Sequence, residues 1–424
     1  MVDATDLLVI GGGPAGLATA IAARLAGMSA RVVERSRPPI DKACGEGLMP
    51  DAVARLGELG VELAPGESWR FRGIRYLDGE TVAEGVFPRA GGLGVRRLHL
   101  HQAMARRAAE LGVDLCWGVT VHGLAPAELA PAPPGSPGAG PPGAPPEAGA
   151  PVPGSRGAAA PPAPLPPQGA DLLAAGAYTD RPGLELAAAR WVIGADGLRS
   201  RVRRWAGLEG RPQRRRRFGV RRHFACRPWS DMVEVHWGPG CEAYVTPVGP
   251  DEVGVAMLWS GGKARFDDLL AHFPALAARL DGAPAASRDR GAGPLLQRPR
   301  AVCRGNVALV GDASGYVDAI TGEGLAVALH QSAALIEALA AGDLARYGAR
   351  HRRIGRLPDN MTSLLLAVER RPWLRHRMVR ALAAEPALFS RLLGIHARTL
   401  PPARLGIDGA LRLVYRLVYR LVTA

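Results

Sequence analysis

The sequence predicts an α/β protein: a parallel sheet flanked by helices, an antiparallel layer inserted into it, and a helical tail. Three observations support this class. Asp6-Leu7-Leu8-Val9-Ile10 is a short apolar run that enters a glycine-rich turn, and helical periodicity follows from Leu17 to Ala26. Trp191-Val192-Ile193-Gly194 and Asn306-Val307-Ala308-Leu309-Val310 are further runs of the kind buried in parallel sheets. Between them, Phe218 to Trp259 alternates apolar and polar residues. Gly238-Pro239-Gly240 and Val248-Gly249-Pro250 supply turns, so this stretch reads as antiparallel hairpins.

The elements follow in order. Ala30 to Glu34 is the second strand. A helix starts near Pro50-Asp51, where proline suits the first turn and an acid complements the helix dipole. Another spans Leu98 to Leu111, with Leu100, Met104, Ala108 and Leu111 on one face; Gly112 stops it, and Val113 to Trp117 is a strand. From Ala125 to Gly169 proline, alanine and glycine dominate without an apolar period, which reads as a disordered insertion. After Leu325 the pattern is helical throughout. Residues 1–70, 97–205 and 301–345 are thus expected to form the nucleotide-binding domain, interrupted by the 126–170 insertion. Residues 71–96 and 206–300 form the antiparallel substrate domain, and 346–424 the C-terminal helical region.

Composition narrows the function. The net charge of +14 comes almost entirely from arginine, because lysine occurs only at Lys42 and Lys263. No nucleic-acid recognition motif accompanies it, so no nucleic-acid partner is expected; a basic chain also suits a pyrophosphate or an acidic membrane. Cys44, Cys116, Cys226, Cys241 and Cys303 are odd in number and none are at C-x-x-C spacing. This points away from a disulfide framework or metal site and toward a reducing cytoplasm. No apolar run reaches the roughly 18 residues of a membrane span.

Three motifs carry chemistry. In Gly11-x-Gly13-x-x-Gly16 the glycines permit a tight turn, approach of the backbone to a pyrophosphate, and close helix–strand packing. Glu34, at the end of the second strand, is placed to accept hydrogen bonds from a ribose. Gly311-Asp312 ends a buried strand, where an unpaired carboxylate is costly and a ribityl hydroxyl of FAD would satisfy it. Gly322 and Gly324 let amides at a helix start face the flavin pyrimidine. Taken alone, this stretch also fits an ordinary aspartate-capped loop. The third motif is Gly194-Ala195-Asp196-Gly197-Leu198-Arg199-Ser200, equally readable as a strand end with a serine-capped helix.

In this order and spacing the motifs resemble those of the flavoprotein monooxygenase and geranylgeranyl-reductase-like superfamily, from about Asp6 to Leu339. The resemblance implies a glutathione-reductase-type, Rossmann-like FAD-binding domain with a substrate sheet over the flavin, and NAD(P)H as reductant. Arg97, in Arg97-x-x-Leu100-x-x-x-Met104, resembles the arginine that reaches the cofactor. Asp196 and Arg203 match positions associated with cofactor contacts, and Pro14, Ala15 and Arg35 belong to the matched nucleotide-binding stretch. Gly315 and Ala319 stand where aromatic hydroxylases carry histidine and proline, while Lys42-Ala43-Cys44-Gly45-Glu46-Gly47-Leu48 is similar to the reductase branch.

Cys44 and Glu46 are the candidate catalytic residues, a proton shuttle and a general acid; a structural cysteine and a solvated carboxylate are the alternatives. His236 and Tyr244 are candidate substrate contacts on the hairpin strands. Near the C-terminus Arg412, Arg416 and Arg420 share one helical face, suited to peripheral membrane contact or to packing on the protein itself. The expected activity is monooxygenation of a small hydrophobic or aromatic metabolite. Double-bond reduction of an isoprenoid is the alternative, and a flavin-binding regulator or membrane-associated scaffold without turnover is the third.

Overall fold

The computed structural model describes residues 5–126, 174–213 and 216–405. The expected disordered insertion, apart from its first residue, and the arginine-striped C-terminal helix lie outside the described residues.

The chain opens with β1 (Thr5–Ile10), α1 (Pro14–Leu25) and β2 (Ala30–Glu34). Then come β3 (Gly47–Leu48), α2 (Pro50–Glu58), β4 (Ser68–Phe71), β5 (Gly73–Asp78), β6 (Thr81–Val86) and β7 (Gly92–Val95). These lead to α3 (Arg97–Glu110), β8 (Asp114–Trp117), β9 (Val121–Pro126), β10 (Ala174–Thr179), β11 (Leu186–Gly194) and α4 (Arg201–Trp205). The hairpin region holds β12 (Arg217–Phe224), β13 (Met232–Gly238), β14 (Cys241–Gly249) and β15 (Glu252–Ser260). After it come α5 (Phe266–Leu270), α6 (Pro274–Leu280), β16 (Arg290–Ala292), β17 (Cys303–Arg304) and β18 (Val307–Leu309). Four α-helices follow, α7 (Gly324–Ala340), α8 (Ala345–Glu369), α9 (Pro372–Ala384) and α10 (Pro386–His396), and a 3-10 turn at Pro402–Leu405 closes the described chain.

In the first sheet β18, β11, β1, β2 and β8 lie side by side and parallel. Leu7 and Val9 of β1 face Leu17 and Ile21 of α1, Met104 of α3 and Leu335 of α7; Leu8 and Ile10 face Val202 and Val307 on the other side. Burial of both faces explains why these strands read as continuous apolar runs. The helices start and stop where local chemistry dictates. Pro50 occupies the first turn of α2 beside Asp51, and Gly112, at φ +72°, releases the chain after α3.

The second sheet runs β16-β12-β15-β14-β13-β5-β6. The predicted turns close its hairpins: Gly238 pairs with Cys241 and Gly249 with Glu252. One junction departs from the antiparallel expectation. β13 pairs with β5 in parallel, because the β5–β6 hairpin, from an earlier part of the chain, docks on its free edge. One face of this sheet is covered by Phe266, Leu269 and Leu276 of α5 and α6. On the other, Val235 and Trp237 pack with Leu366, Val379 and Phe389 of the C-terminal helices.

Candidate cofactor and substrate site

A cavity of about 240 Å³ opens where the C-terminal ends of the parallel strands meet the second sheet. In open α/β folds this edge is where ligands bind. The three motifs arrive on it together because their strands are neighbours. The ladder continues into them: Gly11 N–H donates to Val33 O (2.9 Å), Ala195 N–H to Ile10 O (2.8 Å) and Val310 N–H to Gly194 O (3.0 Å).

The first motif is glycine by necessity. Gly11 sits at φ +114°, and a Cβ on Gly16 would lie 1.9 Å from the Gly11 carbonyl oxygen. Pro14 and Ala15 begin α1 on the cavity wall; no side chain caps this helix and its first turn has no acid. Against the turn lies Arg97, whose Nη2 is 3.8 Å from where a Gly13 Cβ would sit. Arg97 is buried, and its Nη1 has no hydrogen-bond partner among the described residues. An uncapped helix start beside an unsatisfied buried guanidinium fits an anion rich in acceptor oxygens.

Asp312 lines the same cavity, and no hydrogen bond from the described residues reaches its carboxylate. Burial pushes its pKa up while Lys42 and Arg97 pull it down. A hydroxyl donor fits this group. Gly322, at φ +70°, leads into α7, which starts at Gly324 without a side-chain cap, so its first amides also meet the cavity. FAD fits this set: α1 and Arg97 would hold its phosphates, Asp312 a ribityl hydroxyl, and the start of α7 the pyrimidine edge.

Glu34 is buried and ties the turn together. Its two oxygens accept the amides of Gly12 and Ser36, both at 2.9 Å, and further lone pairs remain for a ribose. Arg35, next to it, is exposed. Asp196 corrects the expectation. Its Oδ1 accepts the Ser200 hydroxyl and its Oδ2 the amides of Arg201 and Val202, so it is committed to the start of α4 and does not line the cavity. Arg203 bridges loops: it donates to Ala313 O, Leu198 O and Gln297 Oε1, at 3.0, 3.0 and 3.1 Å. Gly315 takes φ +124°, a conformation that glycine alone adopts readily, and Ala319 lines the cavity.

Cys44 and Glu46 both line the cavity. Burial, and then the charge of Glu46, push the Cys44 thiol up. Glu46 is not the solvated loop carboxylate that was the alternative. It is buried at φ +59°, accepts Arg97 N–H on Oε1 (2.7 Å) and contacts His223 Nε2 through Oε2 (2.5 Å). The proton positions follow from the donors around His223. Ser287 Oγ lies 2.8 Å from His223 Nδ1 and accepts the His223 amide (3.1 Å) and Arg221 Nη1–H (3.4 Å). With both lone pairs engaged, its own proton points at Nδ1. Arg221 Nη1, which can only donate, lies 3.1 Å from the same nitrogen. The ring therefore carries its proton on Nε2 and donates to Glu46. Gly254 makes room for the pair, since a Cβ there would lie 3.1 Å from Glu46 Oε2 and 3.4 Å from His223 Cδ2.

The far wall is apolar: Phe71, Ile74, Val233, Val235, Leu258 and Leu295. Tyr244 joins it, with its hydroxyl donating to Ile320 O at 2.9 Å. His236 does not. Strand alternation turns it to the opposite face, where it contacts Glu234 Oε2 at 3.2 Å. Sequence reasoning chose the polar face of β13, whereas the cavity takes Val233 and Val235. It also missed Arg221, although Arg217, Arg221 and His223 recur at even spacing along β12, a polar row on a buried strand.

A family model described as FAD binding domain matches residues 4–68. Over 127 residues the chain is 36% identical to a protein of Mycobacterium tuberculosis named menaquinone reductase; the match covers 28% of this chain and 31% of that protein. The chain thus spans under a third of the length of that curated relative. Among solved structures, a flavoprotein/dehydrogenase from Cytophaga hutchinsonii superposes with a TM-score of 0.74 at 16% identity, over 99% of this chain and 100% of that one. A geranylgeranyl bacteriochlorophyll reductase-like protein from Thermoplasma acidophilum gives 0.62 at 17% identity, over 99% and 98%. A probable FAD-dependent monooxygenase from Pseudomonas aeruginosa gives 0.63 at 16%, over 94% and 100%. The chain thus carries a stretch that matches an FAD binding domain, gathers three glycine motifs on one sheet edge and shares the fold of these flavoproteins.

Proposed function

We propose that the protein is an FAD-dependent oxidoreductase, reduced by NAD(P)H, that saturates a carbon–carbon double bond of an apolar, isoprenoid-type molecule. The observation that carries this reading is the pairing of walls. An apolar surface from Phe71 to Leu295 faces a thiol that burial and the neighbouring Glu46 charge keep protonated. Bound FAD supplies hydride; the chain must orient the substrate, exclude water and supply a proton. Cys44 Sγ holds that proton at the cavity wall, and Glu46, fixed by Arg97 N–H and His223 Nε2–H, holds the negative charge that disfavours its early loss. The similarity to a protein named menaquinone reductase supports reduction over oxygen insertion. All five cysteines are free, which suits a reducing cytoplasm.

The test is NAD(P)H oxidation by the flavin-loaded protein with prenylated quinones and shorter isoprenoids, with and without oxygen. Saturated product formed anaerobically is expected. Turnover that stops without oxygen assigns the protein to monooxygenation instead. Loaded protein that no candidate substrate stimulates, in either atmosphere, favours a flavin-binding scaffold.

A further inference from the structure

We propose that the corner between α8 and α9 is a docking surface for an anionic lipid bilayer. The proposal does not depend on which reaction the flavin site performs.

Leu364 and Trp373 are the two most exposed large apolar side chains among the described residues, at 56% and 54%. They sit on the outer faces of helices whose inner faces are spent: Leu365, Leu366 and Val368 of α8 and Met378, Val379 and Leu382 of α9 belong to the core of the second sheet. On α8, Leu364 and Ala367 share a face that reaches Arg371, whose guanidinium binds the Ala367 carbonyl. On α9, Trp373, Arg377 and Arg380 recur at four and three residues and so share one face, with the Arg377 guanidinium 6.0 Å from the Trp373 ring centre.

The exposed charge in the stretch from Asn360 to Ala384 has one sign, with Asp359 and Glu385 just beyond its ends. Between Asn360 and Ala384 the only acid is Glu369, which is buried and paired with Arg217. Arg375 is buried on Asp78. Arg370, Arg371 and Arg380 are exposed, and half-buried Arg377 borders Trp373. Tryptophan and leucine at headgroup depth, flanked by arginines, match the chemistry of an acidic membrane surface, where each basic residue adds to binding. The location also has a use. The inner face of α8 packs in the same core as Val235, Leu295 and Ile320 beside the cavity, so an apolar substrate dissolved in the bilayer would be met close to its site.

The experiment is co-sedimentation of the full-length, flavin-loaded chain with vesicles of phosphatidylglycerol and phosphatidylcholine, against phosphatidylcholine alone. Compared variants are Leu364→Asp with Trp373→Ala, Arg370→Ser with Arg371→Ser and Arg377→Ser, and, separately, Arg412→Ser with Arg416→Ser and Arg420→Ser. Flavin content and the circular dichroism melt of each variant establish that it is folded. Binding to the acidic vesicles is expected, weakened at least about tenfold by either α8–α9 set. Three results overturn the proposal: equal partition onto neutral vesicles, no binding, or binding abolished by the distal arginine set and untouched by the α8–α9 sets. Retention of the acidic-vesicle affinity in the apolar pair alone would also overturn it, because a polyanion site needs only the arginines.

Discussion

Replacing Arg97 by methionine separates a cofactor-binding role from a structural one by giving two effects of opposite sign. The guanidinium is 4% exposed and burial draws its pKa down. Its Nη1 has no partner among the described residues. A buried charge without full hydrogen bonding burdens the flavin-free protein, and an unbranched apolar side chain of similar reach relieves that by about 1–3 kcal/mol. The backbone N–H that Arg97 gives to Glu46 survives the change. Loaded protein loses charge-assisted hydrogen bonds to the pyrophosphate, worth roughly 1.5–3 kcal/mol, or about a 10- to 100-fold weaker flavin affinity. Urea unfolding of the flavin-free chain and fluorescence titration with FAD measure the two effects. Lower stability without flavin, together with unchanged affinity, would refute the reasoning, since Arg97 would then be a structural strut.

Two further substitutions probe buried chemistry. Burial, reinforced by Asp51 and Asp359 and opposed by Arg398, pushes Glu323 up to about 8 from 4.5. Its folded pKa thus exceeds its unfolded one, so no penalty exists below about pH 4.5, and the penalty grows to completion as pH rises through about 8. Glu323→Gln should therefore leave stability little changed near pH 5 and raise it by a few kcal/mol, on the order of magnitude, above pH 8. A parallel pair of stability–pH curves for wild type and variant would contradict this. Gly254→Ala places a methyl 3.1 Å from Glu46 Oε2 and 3.4 Å from His223 Cδ2, where neither neighbour can move freely. A loss of about 1–3 kcal/mol is expected in denaturant unfolding, and a neutral outcome would show that the Glu46–His223 contact is slack.

The legible parts of this molecule are those in which a single short stretch dictates its own geometry. Gly11 and Gly16 are glycines because of a positive φ and a 1.9 Å approach, so the turn announces itself. The hairpin turns at Pro239-Gly240 and Pro250-Asp251 likewise carry their own chemistry. What could not be read depends on partners far along the chain. Glu46 and His223 meet across 177 residues, and Arg221 reaches Asp41 across 180, leaving no local period. Asp196 illustrates a different failure: one aspartate in one loop fits a cofactor or a helix start, and only the placement of Ser200 and Arg201 separates them. On β13 the alternation itself was visible, but which face meets the cavity depends on how β5 and the C-terminal helices pack against it.

Arg203 has a consequence for how the flavin is taken up. One guanidinium grips the loops after β11 and β18 together with Gln297, so the chain's own contacts set the spacing of those loops. Little ordering is then left for the arriving dinucleotide to impose, and association resembles a key entering a cut lock more than a hand closing on a ball. A lysine at 203, a single point of charge on a flexible stem, can hold the same loops only loosely and would make the empty site breathe.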